Sequence, residues 1–286
     1  MLDITELEKK IGHWIQENFL VTEESLSIDG KTLRGTKRQG SHLYHLLSAV
    51  SGRLGITAYQ GNVGEKTGEI KGFQDILKGL IVEGKVLTMD ALLTQREIAK
   101  KIVKSHCAYV MIAKDNQLHL KEDIADLVIF KENIGETEIF ETNRKGHGRI
   151  ETRTISVCPA EDYIDWPEVK QVFCITRDVL QKGKRSVNHE YGLTSLSGEQ
   201  ANAQRLLKLV CSHWSVESKS HWVRDVVYRE DHSQVRVGVL PQVMALFRNI
   251  AVGLIKAKGW LSVTKANRFY AANPSLSLEF LFQRIK

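Results

Sequence analysis

The chain has 286 residues, 42% of them hydrophobic, enough to bury a full core as one large domain or one domain carrying an insertion. Its net charge of +6 suits an anionic partner such as nucleic acid but is far from the charge of a histone-like tail. Four scattered cysteines, Cys107, Cys158, Cys174 and Cys211, form no C-x-x-C pair, which argues against a zinc ribbon or disulfide scaffold and for a reducing cytosol.

Charges at Asp3 and Glu6 stand where a signal peptide needs an apolar core, and no apolar run approaches the roughly 20 residues that span a bilayer. The expectation is a cytoplasmic protein without membrane contact. Residues 3–19 read as an amphipathic helix, with Asp3 and Glu6 suited to its N-terminal cap and Ile4, Leu7, Ile11, Trp14, Ile15 and Phe19 at helical spacing.

From Ser25 the period changes to that of strands. Leu26-Ser27-Ile28 runs into Asp29-Gly30-Lys31, Tyr44 to Val50 gives a second strand, and Ile56 to Gln60 a third. The link Thr32 to His42 carries Lys31 at its edge and Arg34, Lys37 and Arg38 within it. It suits either phosphate steering or an ordinary solvated loop. Residues 67–80 then read as a helix with Ile70, Phe73, Ile76, Leu77 and Leu80 on one side. The apolar strand Val86 to Met89 ends at Asp90, a helix follows through Gln95 to Ser105, and Tyr109 to Ala113 is a further strand. An antiparallel meander joined to parallel strands with helical crossovers is a ribonuclease-H-like α/β layout, a mixed five-stranded sheet with flanking helices. In it the first and fourth strands are neighbours, which would bring Asp29 and Asp90 together.

Residues 116–190 lose this rhythm and read as a β-rich insertion or an extension of the sheet, with alternation over 137–142 and 152–157, a strand at 172–175, and a basic glycine turn Lys145-Gly146-His147-Gly148-Arg149. A short strand at 191–196 precedes a long helix opened by Ser197. On that helix His213, Glu217, His221 and Arg224 fall at spacings of four, four and three, so they share one side. A second apolar helix runs from Val239 to about Ile255. The expected organisation is an N-terminal helix (1–24), a first core part (25–115), the insertion (116–190), a second core part with the acidic helix (191–260) and a tail (261–286).

Singly, Asp29, Asp90 and Glu217 each read as solvated charges. Their order on strand, strand and helix suggests three carboxylates converging to hold hard divalent cations, the arrangement that phosphoryl transfer uses. His213, Glu217 and His221 are a rival set for a transition metal, but the His-Glu-x-x-His spacing of metalloproteases is absent. Trp214 and Trp222, eight apart, read first as core packing and second as base-stacking groups.

These residues also carry a resemblance. Ile28-Asp29-Gly30-Lys31-Thr32-Leu33-Arg34-Gly35, Thr88-Met89-Asp90-Ala91 with Gln95, Ala113-Lys114-Asp115-Asn116-Gln117, His147 to Arg153, and His213-Trp214-Ser215-Val216-Glu217 through His221-Trp222, Asp225-Val226 and Glu230-Asp231 span nearly the whole chain. Together they resemble the DDE transposases of the H-repeat, Rhs-element-associated insertion-sequence family. The resemblance implies a ribonuclease-H-like core with Asp29, Asp90 and Glu217 as catalytic, metal-holding triad, and two Mg2+ (or Mn2+) ions. It also implies cleavage and strand transfer at the ends of an element, on double-stranded DNA at the nucleoid. Lys114, Asn116 and Gln117 would then lie near the site and contact DNA, and Lys31, Arg34, Lys114, His213 and Arg224 would hold phosphate. A homodimer on DNA is implied by the same likeness. Cys211 and Ser218 depart from the family pattern, where arginine and asparagine are expected. The family also carries a segment ahead of the first helix, so a shortened, catalytically silent DNA-binding remnant is the alternative expectation.

Overall fold

The structure, a computed structural model, describes residues 3–36, 44–64, 69–146 and 148–282. Lys37 and Arg38 of the basic link, Thr67 and Gly68 of the expected helix, the side chain of Ile70, and His147 of the glycine turn lie outside the described residues. The chain divides into two compact units: one takes residues up to Ile81 together with Trp214 onward, the other is Val82–His213.

The first unit opens with α1 (Ile4–Phe19), capped by Asp3, whose Oδ1 accepts the Glu6 N–H at 3.1 Å. β1 (Ser25–Leu33), β2 (Tyr44–Val50) and β3 (Thr57–Gly64) form the expected antiparallel meander, with Asp29 opposite Ser48 and Ser48 opposite Gln60. Leu26, Ile28, Leu46, Leu47, Ala49, Val50 and Ala58 are buried in its core. α2 (Glu69–Gly79) adds Phe73 and Ile76.

The most buried face of α1 is not wholly apolar. Gly12 admits the Tyr59 ring, since a Cβ there would lie 2.9 Å from Tyr59 Cδ2. Glu8 is buried, accepting from Gln60 Nε2 at 3.1 Å and Gln242 Nε2 at 2.8 Å, while Asn249 Nδ2 donates to Gln60 Oε1 at 2.6 Å. These amides offer hydrogen bonds but no charge, so they offset only part of the desolvation.

The second unit contains β4 (Val86–Met89), α3 (Arg96–Lys104), β5 (Ala108–Ala113), α4 (Leu118–Asn133), β6 (Glu138–Gly146), β7 (Arg149–Pro159), β8 (Gln171–Gln181), β9 (Lys184–Thr194) and α5 (Ala203–Val216), whose last turn runs into the first unit. β4 and β5 pair in parallel, Val86 with Ala108 through Met89 with Met111, joined by the α3 crossover. β9 pairs antiparallel with β5, and β8, β7 and β6 follow in an antiparallel run. The result is a large mixed sheet of six strands in this unit, more than the five expected for the whole chain. The reason is that the strands of 138–194 extend the sheet edge, the second of the two readings of this segment.

The segment expected to be only β-rich opens with the 16-residue α4, whose Leu120, Ile124, Leu127 and Val128 face the sheet. Exposed Ile129 and Phe130 blur that stripe in the sequence. Nor does Ser197 open α5. Residues 198–200 form a turn, and the helix starts at Ala203, with Asn202 Oδ1 accepting the Arg205 N–H at 2.9 Å.

Beyond α5 the first unit resumes. The expected single helix continues, but in π-helical turns over Glu217–His221 and Val223–Val227, followed by a short 3-10 turn at Glu230–His232. α6 (Leu240–Ala257), α7 (Val263–Ala272) and α8 (Pro274–Phe282) complete it. The tail is not idle, because Trp260 and Tyr270 pack on the cluster of Val223, Val252, Ile255, Val263 and Ala266. No helix among the described residues is long and apolar enough to cross a membrane.

Burial raises the Glu8 carboxyl from 4.5 to about 7 against the two amide hydrogen bonds. Because the folded pKa is the higher, the protonated acid is favoured in the fold, and stability falls as pH rises from about 4.5 through 7. Urea unfolding should show a loss of roughly 3 kcal/mol across that window from this one group, on the scale of 1.36 kcal/mol per pKa unit. Glu8→Gln should remove that slope; an unchanged slope would assign it to other groups.

Candidate metal centre

β1 brings Asp29 to the rim of the first unit's core after the buried run Leu26 to Ile28. Its Oδ1 accepts the Gly30 N–H at 2.8 Å, which orients the carboxylate. The π-helical segment is pinned to the β2–β3 connection on either side of Glu217: Ser215 Oγ donates to Gly52 O at 2.9 Å and Lys219 Nζ donates to the same oxygen at 2.7 Å. A helix held at 215 and 219 has little freedom to rotate at 217.

The widened turn, with the Trp222 N–H reaching back to Glu217 O, sets Glu217 and His221 side by side. Interruptions of this kind are frequent at functional sites. His221 Nδ1 lies 3.2 Å from Glu217 Oε2 and 3.6 Å from Asp29 Oδ2. One oxygen of Asp29, one of Glu217 and a ring nitrogen of His221 all fall within 4.8 Å of one another, the one such group of three found among the described residues. Two carboxylates and an imidazole are a fitting donor set for a divalent cation. Burial, aided by the positive charges of Arg224 and Lys31, pushes the His221 imidazole down to about 4 despite the pull of Glu217, so the ring is neutral at pH 7. Glu217 reaches outward, its side chain 77% exposed.

Behind the cluster sits a buried ionic network. Lys31 Nζ lies 2.6 and 2.7 Å from the two oxygens of Asp225. Arg224, 0% exposed, has Nη2 2.8 Å from Glu230 Oε2, and Arg248 Nη1 is 3.4 Å from Glu230 Oε1. Gly35 packs against the same turn so tightly that a Cβ would stand 2.9–3.1 Å from the carbonyl oxygens of Ser233, Asp231 and Glu230. That contact explains the second glycine of the Asp29–Gly35 motif.

Asp90 belongs to the second unit. It follows β4 and caps the turn Ala91–Leu93, accepting from the Leu92 and Leu93 N–H groups at 3.1 and 3.4 Å. Asn116 Nδ2 donates to Ala91 O at 2.6 Å and Gln117 Nε2 to Thr94 O at 3.2 Å, so these two amides brace the Asp90 turn. His213 is buried with Nδ1 3.2 Å from Thr88 Oγ1. Burial holds its imidazole below the usual range although Asp90 draws it upward.

Of the five side chains expected at phosphate, Arg34 and Lys114 are exposed. Lys31, His213 and Arg224 are buried, and the two cations among them are taken up by Asp225 and Glu230, so in this structure they are turned to the scaffold and not to solvent. Trp222 is exposed and Trp214 half-buried. The helical spacing put His221 beside Glu217 but did not foretell its approach to Asp29, and it gave no role to Arg248 or to Glu230, which entered only as part of a motif. A fully buried arginine has no sequence signature apart from its spacing from Glu217.

Residues 22–254 match the family described as Transposase DDE domain, so the chain belongs to that family. Members of it generally use divalent metal ions. Within the family its likeness is to the H-repeat group. It is 30% identical over 248 residues to "H repeat-associated putative transposase YhhI" of Escherichia coli (strain K12), covering 82% of this chain and 64% of that one. It is 29% identical over 274 residues to "Putative transposase YncI" of Escherichia coli O157:H7, covering 89% of this chain and 68% of that one. The chain thus spans about two thirds of the length of these relatives.

Glu230 holds Arg224 and Arg248 in a site that water hardly reaches. Glu230→Gln should lower the free energy of unfolding by about 3–5 kcal/mol in urea titrations, the scale for breaking a buried pair from one side. The double change Arg224→Met with Glu230→Leu should lose less than that single change; a larger loss would show that the pair contributes more than the absence of an orphaned charge.

Proposed function

We propose that the chain is a DDE-type DNA transposase in which Asp29, Asp90 and Glu217 hold two divalent ions, Mg2+ or Mn2+, for cleavage and strand transfer at the ends of an insertion element. The observation that carries the reading is the clustering of Asp29 with Glu217 and a neutral imidazole, in a chain that belongs to a transposase family. Asp90, on a braced turn at the end of a parallel strand, is the third ligand in this proposal. Ions so held supply positive charge to the attacking and leaving oxygens of an in-line displacement at phosphorus.

The residues of the chain divide that work. Asp29 and Glu217 offer oxygens, one from a rigid strand and one from a pinned helical turn. Arg34 and Lys114, both exposed, receive backbone phosphate, whereas Lys31 and Arg224 keep the helix in place from behind. We assign 25–115 and 191–260 to a ribonuclease-H-like core and 116–190 to an insertion. The partner is double-stranded DNA, bound by a homodimer, in the cytoplasm at the nucleoid.

Asp29→Asn, Asp90→Asn and Glu217→Gln should each abolish Mg2+-dependent nicking of duplex DNA carrying element ends, a drop of at least about 100-fold, with circular dichroism unchanged. Cleavage retained in all three variants would end this reading. DNA binding that is steeply salt-dependent yet indifferent to metal, in a wild-type chain that does not cut, would instead identify a non-catalytic DNA-binding protein.

A further inference from the structure

We infer that His221 is a direct nitrogen ligand of the divalent ion held by Asp29 and Glu217, so that this site carries a mixed carboxylate and imidazole donor set selective for Mn2+ over Mg2+. The inference rests on the proposed metal-dependent function and adds to it a residue outside the acidic triad.

The geometry is that of neighbouring ligands. Two donors at right angles on an octahedral ion with bonds of roughly 2.1 Å stand about 3 Å apart. His221 Nδ1 is 3.2 Å from Glu217 Oε2 and 3.6 Å from Asp29 Oδ2, close to that separation on both sides. The ring is fixed in place, being 5% exposed and carried on a turn tied down by Lys219. Its other nitrogen, Nε2, is buried and has no hydrogen-bond partner among the described residues. Nothing found there commits the ring proton to one nitrogen, so the tautomer follows what faces Nδ1. Against bare carboxylates the proton sits on Nδ1 and is donated to Glu217. With a cation between the three groups, the proton moves to Nε2 and the Nδ1 lone pair faces the ion. No proton is gained or lost by the ring.

A hard oxygen-only set suits Mg2+, whereas imidazole shifts preference to Mn2+ and later first-row ions. Lys31 and Arg224, the nearby cations that would otherwise compete for these carboxylates, are bound to Asp225 and Glu230.

Mn2+ alone is the probe. Purified full-length chain loaded with one equivalent of Mn2+ should show, by electron spin-echo envelope modulation, the nitrogen-14 coupling of a directly bound imidazole. His221→Asn, which puts an amide where Nδ1 stood, should abolish that coupling. It should also weaken Mn2+ binding by roughly 10–100-fold in calorimetry, the scale seen even for outer-shell partners, while Mg2+ affinity changes less. Mn2+ that binds the wild type, weakens in Asp29→Asn and Glu217→Gln, yet shows no nitrogen coupling would overturn the role of His221 and leave the carboxylate site standing. Coupling that survives in a folded His221→Asn would overturn it as well. Mn2+ binding that is absent, or unaffected by the two carboxylate changes, would sink both this inference and the metal-dependent function.

Discussion

A carboxylate buried in a protein interior needs an opposite charge beside it, and Glu230, 3% exposed, has Arg224 and Arg248 within reach. That requirement governs the first unit. Arg224 sits on the helical segment that also carries Glu217 and His221, Lys31 sits two residues beyond Asp29 on β1, and Asp225 closes the circuit between them. Sliding or rotating the segment by one residue would separate buried charges. The helix is thereby locked in register with the strand, and the lock places His221 between Asp29 and Glu217.

The π-helical geometry fits this scheme. A regular α-helix through 217–227 advances each side chain by about 100°, whereas a turn closed by i→i+5 bonds is wider and changes the phase of everything after it. Arg224 is turned inward to Glu230 while Glu217 stays turned outward, 77% exposed. Ser215 and Lys219 fasten the same segment to the carbonyl of Gly52, so the widened turn is held on both sides. An outward acid beside a buried neutral imidazole is an arrangement open to an ion and to a substrate phosphate, with its rear shielded from water.

In the second unit the same economy of support appears on a smaller scale. Asp90 spends one oxygen on the two N–H groups of the turn it caps, and Asn116 and Gln117 hold that turn's carbonyls. Polar residues that look like nucleic-acid contacts in a linear reading are here the braces of an acidic residue. The long β6–β9 strands extend the sheet far beyond the core expected for the fold, and α4 packs against β7, β8 and β9.

Much of this was present in the amino-acid order. Strand periodicity in 25–60 and the apolar strands ending at Asp90 and at Ala113 are local patterns, and local sterics and burial are enough to express them; the shared side expected for His213, Glu217, His221 and Arg224 was not kept, since Glu217 is exposed and Arg224 fully buried on the π-helical turns. The family resemblance was equally legible, because it rests on contiguous motifs. Other features were decided only by the folded chain. The widening of the helix at Glu217 and the inward turn of Lys31 depend on partners far away in sequence, Gly52 for the pinned turn and Asp225 for Lys31; Arg224 turns inward to Glu230, which is near in sequence but lies on the 3-10 turn beyond the helical segment. Whether a lysine faces solvent or a buried carboxylate is settled by desolvation against pairing, a balance that exists only once distant segments have met. The sequence alone determined which residues carry charge and on which elements; tertiary structure decided which of those charges remain available for chemistry.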